Sequence, residues 1–150
     1  MGKIKTWILL AAILLVASYL RLYKISDYMT FLGDEGRDVL VVKRMIVDHD
    51  LTLLGPTASV GGFYLGPIYY YFMMPFLWLW NLDPTGPAVM VALFGVATTY
   101  LLYIVGRDFF SKNAGLVAAS LYALSPLAIA MSRSSWNPNI FPFFSLLTIY

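Results

Sequence analysis

The stretch GPIYYYFMMPFLWLWNL at residues 66–82 decides the fold, because the side of a membrane on which later segments lie depends on it. A helix needs about 20 mostly apolar residues to cross a bilayer, and this stretch is slightly shorter. Its Tyr and Trp side chains are typical of the membrane interface, and Pro75 lies in its middle. We therefore predict that residues 66–82 form an interfacial helix that does not cross.

The composition of the whole chain indicates that lipid is its solvent. The 150 residues are 60% hydrophobic and only 12% charged, whereas an ordinary soluble domain is about 25% charged. The net charge of +2 and the scattered Lys and Arg residues give no reason to expect a nucleic-acid partner. The absence of cysteine excludes disulfides and thiolate metal sites.

Apolar segments that are uncharged, apart from Arg21, which we expect to snorkel to the interface, predict membrane-spanning helices on both sides of the opening stretch. The first lacks a small-residue cleavage site, so we expect a retained anchor rather than a signal peptide. The chain stops in apolar sequence, and we expect it to be the N-terminal part of a longer protein. The predicted spans are residues 6–23, 84–106 and 114–132, with a further helix starting at 140–150.

Basic residues orient these helices, since Lys and Arg favour the cytoplasmic side. Lys3 and Lys5 place the N-terminus there, and a non-crossing 66–82 places the basic loop 107–113 there too. The prediction is an all-α, multi-pass membrane protein whose long external loop carries two interfacial helices. The external parts are loop 24–83, with surface helices 35–49 and 68–82 around an irregular stretch 53–67, and turn 133–139.

The acidic stretch FLGDEGRD at residues 31–38 lies just outside the membrane in this topology. One explanation is structural: Asp34 caps the helix that follows, and Glu35 favours its positive end. The other explanation is chemical, because a carboxylate can take a proton from an acceptor hydroxyl or coordinate a divalent cation. The sequence alone leaves both explanations open.

A second polar stretch, SRSSWNPN at residues 132–139, is predicted to reach the same side of the membrane. Arg133 is the only charged residue between Lys112 and the end of the chain. A guanidinium can hold a phosphate by paired hydrogen bonds, although Arg133 could instead snorkel to lipid headgroups. Carboxylates and an arginine on one face suit transfer from a membrane-embedded phosphate donor.

With these motifs the chain resembles the polyprenyl-phosphate-sugar-dependent glycosyltransferases of the C-type (GT-C) fold. That group includes the protein O-mannosyltransferases and the aminoarabinose transferases of lipid A. The resemblance covers essentially the whole chain. It rests on GDEGRD (33–38), on GPIYYYFMMPFLWLW (66–80), on the basic turn GRDFFSKNAG (106–115) and on LYALSPLAIAMSRSSWNPN (121–139).

The resemblance implies an N-terminal fragment of a GT-C fold and an enzyme that moves a hexosyl or pentosyl unit to an acceptor outside the membrane. We expect the fragment by itself to be inactive. The expected donor is a polyprenyl-phosphate sugar, and the acceptor is a lipid, a glycan or a protein. Asp34 matches the general base and Glu35 its partner. Arg133 and Arg37 are expected near the donor phosphate, and the acceptor or lipid groove is assigned to Tyr69, Tyr70, Trp136 and Asn137.

The chain departs from the family's pattern at two places. The family's HPP reads Leu65-Gly66-Pro67, and no acidic residue follows Arg133 within the next four positions. No cofactor is therefore assigned, and a divalent cation is left open. The expected location is a bacterial cytoplasmic membrane with the active site outside. The alternatives are a transporter or flippase for a lipid-linked substrate, which would need ionisable residues inside its spans, and a non-catalytic membrane scaffold.

Overall fold

The structure, a computed structural model, describes residues 3–58 and 60–150. Those residues are mainly helical and contain no β-strand, which confirms the all-α prediction. A 3₁₀ turn at Asn137–Ile140 precedes the last helix. The helices are α1 (Lys3–Leu22), α2 (Ile25–Tyr28), α3 (Gly33–Val47), α4 (Ile68–Leu79), α5 (Thr85–Phe109), α6 (Lys112–Leu124), α7 (Pro126–Met131) and α8 (Phe141–Ile149).

Helices α1 and α5 are the two described helices that are long and apolar enough to cross a membrane, over Ile4–Leu22 and Thr85–Phe109. Helix α5 is the centre of the fold, since α1, α4, α6 and α8 all pack against it. Leu10 of α1, Tyr103 of α5 and Leu116 of α6 share one buried cluster. The membrane-spanning part is therefore a small helical bundle around α5.

Glycines allow α5 and α6 to approach closely. A Cβ atom added to Gly106 of α5 would lie 2.7 Å from the Cα of Gly115 of α6. Real side chains do not tolerate such a distance, so the two helix backbones meet where neither residue has a side chain. Small residues at helix contacts are a usual feature of membrane bundles, because backbone packing replaces the hydrophobic effect there.

The predicted single helix 114–132 is wrong, because the chain breaks between α6 and α7. Ser125 ends α6 and also caps α7, where its hydroxyl accepts a hydrogen bond of 3.3 Å from the N–H of Ala128. Pro126 follows as the first residue of α7, and proline has no N–H to continue the helix. The carbonyl of Tyr122 therefore loses the donor that a continuous helix would supply.

Arg21 supplies the missing donors at this break. Its side chain is fully buried in the last turn of α1. Its guanidinium donates hydrogen bonds to the carbonyls of Tyr122, at 3.1 Å, and Ala123, at 3.2 Å. Its Nε also donates to the Ser132 hydroxyl at 3.3 Å. Arg21 thus joins α1 to both sides of the broken helix.

Helix α4 runs antiparallel to the first half of α5. Gly86 at the start of α5 lies against the backbone of Phe76. The Phe72 and Phe94 rings, one helix turn or more further along, have centroids 5.5 Å apart. With 12 residues, α4 is about 18 Å long, too short to cross a bilayer. It lies along the N-terminal half of α5, an orientation that sequence alone could not provide.

Helix α3 packs on α4 through the apolar face that its sequence predicts. Val39 and Val42 are buried and Ile46 is half-buried in a core shared with Tyr70 and Met73 of α4. Val39, Val42 and Ile46 are spaced i, i+3 and i+7 and so lie on one face of α3, which is the face that packs on α4. Protein rather than lipid covers it.

Several predicted boundaries shift for local reasons. The helix predicted at 68–82 ends at Leu79, because Asn81 and Leu82 have positive φ angles of 52° and 66°. The loop predicted at 107–113 shrinks, because α5 continues to Phe109 and α6 begins at Lys112. The other predicted ranges, 6–23, 35–49, 84–106 and 140–150, correspond to α1, α3, α5 and α8 with shifted ends.

The stretch predicted as irregular is partly regular. Residues 53–66, named here the hairpin, fold back on themselves, with an antiparallel bridge between Thr57 and Tyr64. Gly61 and Gly62 make the turn with φ angles of 89° and 63°. Ser59 lies outside the described residues. The cross-hairpin bonds run from Gly55 N–H to Leu65 O (3.0 Å), Leu65 N–H to Pro56 O (2.9 Å) and Ala58 N–H to Phe63 O (2.9 Å).

Candidate active site

The two polar stretches singled out in the sequence meet in the structure. Thr30, just before the acidic stretch, forms a parallel bridge with Ser134. The hydroxyl of Ser134 donates a hydrogen bond of 2.6 Å to Glu35 Oε1, and both side chains are buried. A contact across 99 residues of sequence therefore places the start of α3 beside the segment that follows α7.

Glu35 is held by the protein at both carboxylate oxygens. Besides the Ser134 hydroxyl on Oε1, the N–H of Leu32 donates to Oε2 at 3.1 Å. Leu32 is the residue that caps α3, and Glu35 occupies the third position of the helix. The prediction that Asp34 caps the helix is therefore wrong. The helix begins at Gly33, and the Glu35 carboxylate accepts the hydrogen bond from the N–H of the capping residue, Leu32.

Asp34 is the more open carboxylate of the pair. Its side chain retains 49% of its exposure, and its Oδ1 accepts a hydrogen bond of 3.1 Å from Arg37. The other oxygen is not committed to any contact described for the chain. Asp34 therefore combines access to solvent with an adjacent cation, which are the properties that a ligand-binding or proton-accepting carboxylate needs.

Asp38 is a third carboxylate that the sequence analysis did not use. It is completely buried and accepts hydrogen bonds from Arg37, at 3.0 Å, and from the Tyr70 hydroxyl, at 3.1 Å. Its Oδ2 atom has no hydrogen-bond partner among the described residues. Burial raises the pKa of Asp38, and the ion pair with Arg37 offsets only part of that effect. The available signal was its spacing of four from Asp34, which places both on one helix face.

The carboxylate pair opens into a cavity of about 570 Å³ between α3 and the segment after α7. Trp136 stands in its wall with 41% of its surface exposed. Carboxylates, an amide and an aromatic face together suit a polar ligand that also has an apolar face, as sugars do. The remaining lining residues are Thr30, Leu32, Gly33, Ala130, Met131, Ser134 and Asn139.

Neither Arg133 nor Arg37 lines this cavity, but Arg37 pairs with Asp34, which does. The Nη2 of Arg133 donates to the carbonyls of Leu20, at 2.5 Å, and Tyr23, at 3.4 Å. Its guanidinium lies 5.1 Å from the centre of the Tyr28 ring. These carbonyls lie at the C-terminal end of α1, where a cation is favourable. The structure thus brings Arg37, and not Arg133, next to Asp34.

The four residues predicted for an acceptor or lipid groove are divided between separate places. Trp136 lines the acidic cavity, whereas Tyr69 and Asn137 line a second, mainly apolar cavity of about 410 Å³. The hydroxyl of Tyr69 donates to the carbonyl of Ser135, and Tyr70 is buried against Asp38. Tyr69 and Tyr70 therefore brace the wall of the acidic cavity from behind.

The described residues contain no group of three or more His, Cys, Asp or Glu side chains placed to hold a metal ion. The divalent cation that the sequence left open thus gains no ligand set within residues 3–58 and 60–150. Asp34 and Glu35 are two adjacent carboxylates, and Glu35 is already occupied by its protein partners.

The described residues thus form an all-helical chain with two candidate membrane-spanning helices and an acidic cavity beside the C-terminal end of α1. The model of the dolichyl-phosphate-mannose-protein mannosyltransferase family matches residues 65–150, more than half of the chain, so the chain belongs to that family. Membership points to a membrane glycosyltransferase that uses a polyprenyl-phosphate sugar. No curated protein and no solved structure gives a significant match.

The matched range includes α4 to α8 and the segment with Ser134 and Trp136. Asp34 and Glu35 lie outside it. Their connection to the matched part is the hydrogen bond between Ser134 and Glu35 and the shared cavity.

Proposed function

We propose that the chain transfers a sugar from a polyprenyl-phosphate donor to an acceptor hydroxyl in the acidic cavity. Asp34 takes the proton of that hydroxyl while its oxygen attacks the anomeric carbon of the sugar. The bond from the anomeric carbon to the phosphate oxygen breaks, and polyprenyl phosphate leaves. The family match over residues 65–150 is the observation that carries this proposal.

The geometry favours Asp34 over Glu35 as the base. Both oxygens of Glu35 accept protein hydrogen bonds, and its side chain is only 3% exposed. A base must reach the proton that it removes within hydrogen-bond distance. Asp34 meets that condition in the cavity, whereas Glu35 fixes the position of the cavity wall.

Arg37 is the better placed of the two arginines to hold the donor phosphate. Its side chain is 39% exposed and lies 3.1 Å from Asp34. Its guanidinium has five N–H donors, so it can keep its carboxylate contacts and still donate to a phosphate. Arg133 instead donates hydrogen bonds to the carbonyls of Leu20 and Tyr23 at the end of α1.

The position of the cavity suits a donor held in the membrane. Ser134 lines it, and the neighbouring Arg133 caps the last carbonyls of α1, so the cavity lies beside the C-terminal end of α1. We propose that α1 leaves the bilayer at this end. A lipid phosphate lies at that level of a membrane. We propose that this is the external face of a bacterial cytoplasmic membrane, as the basic residues around α1 and α5 favour.

Replacing Asp34 by Asn in the full chain tests the proposal. Asn keeps the size of the side chain but cannot accept the proton, so transfer from polyprenyl-phosphate sugar should fall about 100-fold or more. Asp27→Asn is the matched control, because Asp27 is an exposed carboxylate of the same loop outside the cavity. Equal transfer by the Asp34→Asn variant and the unsubstituted chain would overturn the assignment.

A further inference from the structure

We propose that the hairpin inserts its apolar turn into the outer leaflet of the membrane and anchors the external loop there. The partner is the acyl region of the bilayer. This role is separate from sugar transfer and does not depend on the proposed reaction.

The first observation is the surface that the hairpin exposes. Residues 51–82 contain no charged side chain, although Asp50 and Asp83 flank them directly. Leu53 and Val60 are each more than four-fifths exposed. Exposed apolar patches of this kind mark an interaction site or a membrane contact. The large apolar side chains of the hairpin that are exposed are Leu53, Leu54, Val60, Phe63, Tyr64 and Leu65.

The second observation is the depth of the hairpin's base. Pro56 and Leu65 share a cavity with Phe144, and Phe144 stacks on Phe72 at the start of α4. Phe72 in turn meets Phe94 of α5. The residue after Phe94 faces Arg21, near the outer end of α1. The base of the hairpin therefore lies at the level at which α1 leaves the membrane.

The third observation is the direction of the chain as it enters the hairpin. Leu51 lies in a cavity with Trp78, towards the end of α4 that is furthest from the membrane. Thr52 accepts a hydrogen bond from the Tyr71 hydroxyl, and Pro56 lies beside Tyr69. The chain thus descends along α4 towards the membrane before it turns.

The fourth observation is that the backbone of the hairpin is suited to lipid. Unpaired N–H and C=O groups are costly in hydrocarbon. Gly55, Ala58 and Leu65 donate their N–H groups across the hairpin, so part of its backbone is paired internally. Gly61 and Gly62 at the turn add no polar side chain. These bonds and the absence of charge lower the desolvation cost of the hairpin relative to that of an open, charged loop.

Fluorescence quenching in lipid nanodiscs tests the proposal, and the chain is convenient because it has no cysteine. A single Phe63→Cys variant of the full chain carries an environment-sensitive dye. Leu15→Cys on the exposed face of α1 is the lipid reference, and Asp50→Cys is the water reference. Quenchers are nitroxide groups on lipid acyl chains and iodide in the buffer. Val60→Cys repeats the measurement if Phe63→Cys does not fold.

The dye at position 63 should emit at a shorter wavelength than the dye at position 50, close to the wavelength of the dye at position 15. The nitroxide lipids should quench it. Iodide should quench it far less than it quenches the dye at position 50. Equal iodide quenching at 63 and 50 overturns the proposal, because the hairpin is then in water. Protection from both quenchers also overturns it, because protein then covers the turn. Neither result depends on whether sugar is transferred.

Discussion

Burial of the Asp38 carboxylate destabilises the fold but helps to position the residues of the site. The carboxylate is buried under α4, with Arg37 and Tyr70 as partners and one oxygen unpaired. Removing a charge from water is expensive, and a partner recovers only part of the cost. The benefit is positional, because Arg37 bridges Asp38 and Asp34 and so holds the proposed base in place.

This burial predicts a pH dependence of stability. Because the pKa of folded Asp38 is raised by burial, folding favours its protonated form. Its contribution to stability is greatest below the unfolded pKa of about 3.9 and is lost as pH rises through the higher folded pKa. The Tm of the unsubstituted chain should therefore rise relative to that of Asp38→Asn as pH falls from neutrality.

Thermal unfolding in detergent across that pH range measures the difference. Asp48→Asn is the control, since it changes an exposed carboxylate at the far end of α3, and its Tm difference should stay small throughout. A difference for Asp38→Asn that is constant or shrinks on acidification would contradict the account.

The residue types of the site could largely be predicted from the sequence. Which carboxylate is accessible and which arginine lies beside it could not. An acidic pair next to an apolar helix, and polar residues after the third apolar stretch, already indicated where to look. Which carboxylate is free depends on Ser134 and Leu32, whose bonds to Glu35 arise only on folding. Arg133 was the obvious cation in the sequence, yet the fold uses it to cap α1.

At the scale of elements, the break between α6 and α7 and its repair by Arg21 form one unit. The guanidinium donates to the buried carbonyl of Ala123 and to the part-buried carbonyl of Tyr122, which otherwise accepts only a long bond of 3.4 Å from the Ser125 N–H. A buried unpaired carbonyl costs about 1–3 kcal/mol. Arg21→Met should therefore lower the free energy of unfolding by about 2 kcal/mol or more. In the background of Pro126→Ala, which restores an N–H for Tyr122, the loss should be smaller.

The four chains of this double-mutant cycle are compared by unfolding in detergent, because coupling between contacting groups appears as non-additivity. Strictly additive effects of Arg21→Met and Pro126→Ala would show that Arg21 does not serve the break.

The contact between α5 and α6 makes a second prediction at this scale. A Cβ at Gly106 would lie 2.7 Å from Gly115 Cα and 3.0 Å from its N. Gly106→Ala should therefore separate the helices and lower the Tm in detergent. Gly36→Ala is the matched control: it is also a helical glycine, but its Cβ would meet only Phe31 ring atoms at 3.8 Å or more. There the better helix propensity of Ala should be neutral or slightly stabilising. An equal effect of both substitutions would contradict the close approach.

Helix positions could be predicted from apolar runs, whereas their ends and partners required the structure. Residues 84–106 and 6–20 carry no charge, and α5 and α1 follow them closely. The break coincides with the Ser125-Pro126 pair, which the sequence shows but the predicted helix 114–132 did not take into account. The snorkelling expected of Arg21 in the span 6–23 is wrong, because the structure buries its side chain against carbonyls about a hundred residues away in the sequence.

At the scale of the whole molecule, the account depends on the side of the membrane to which the acidic cavity opens. Helix α4 is too short to cross, so α1 and α5 run in opposite directions with one external connection between them. Asp34 lies in that connection, and Phe110 lies at the opposite end of α5. If the cavity faces outside, positions 34 and 110 lie on opposite sides of the membrane.

Labelling of single cysteines in intact cells tests this claim most directly. Asp34→Cys and Phe110→Cys variants of the cysteine-free chain are treated with a membrane-impermeant maleimide before and after permeabilisation. The account predicts that position 34 is labelled in intact cells, and that position 110, which is 82% exposed, is labelled only after permeabilisation. Labelling of position 110 in intact cells, or failure of position 34 to react there, would contradict it.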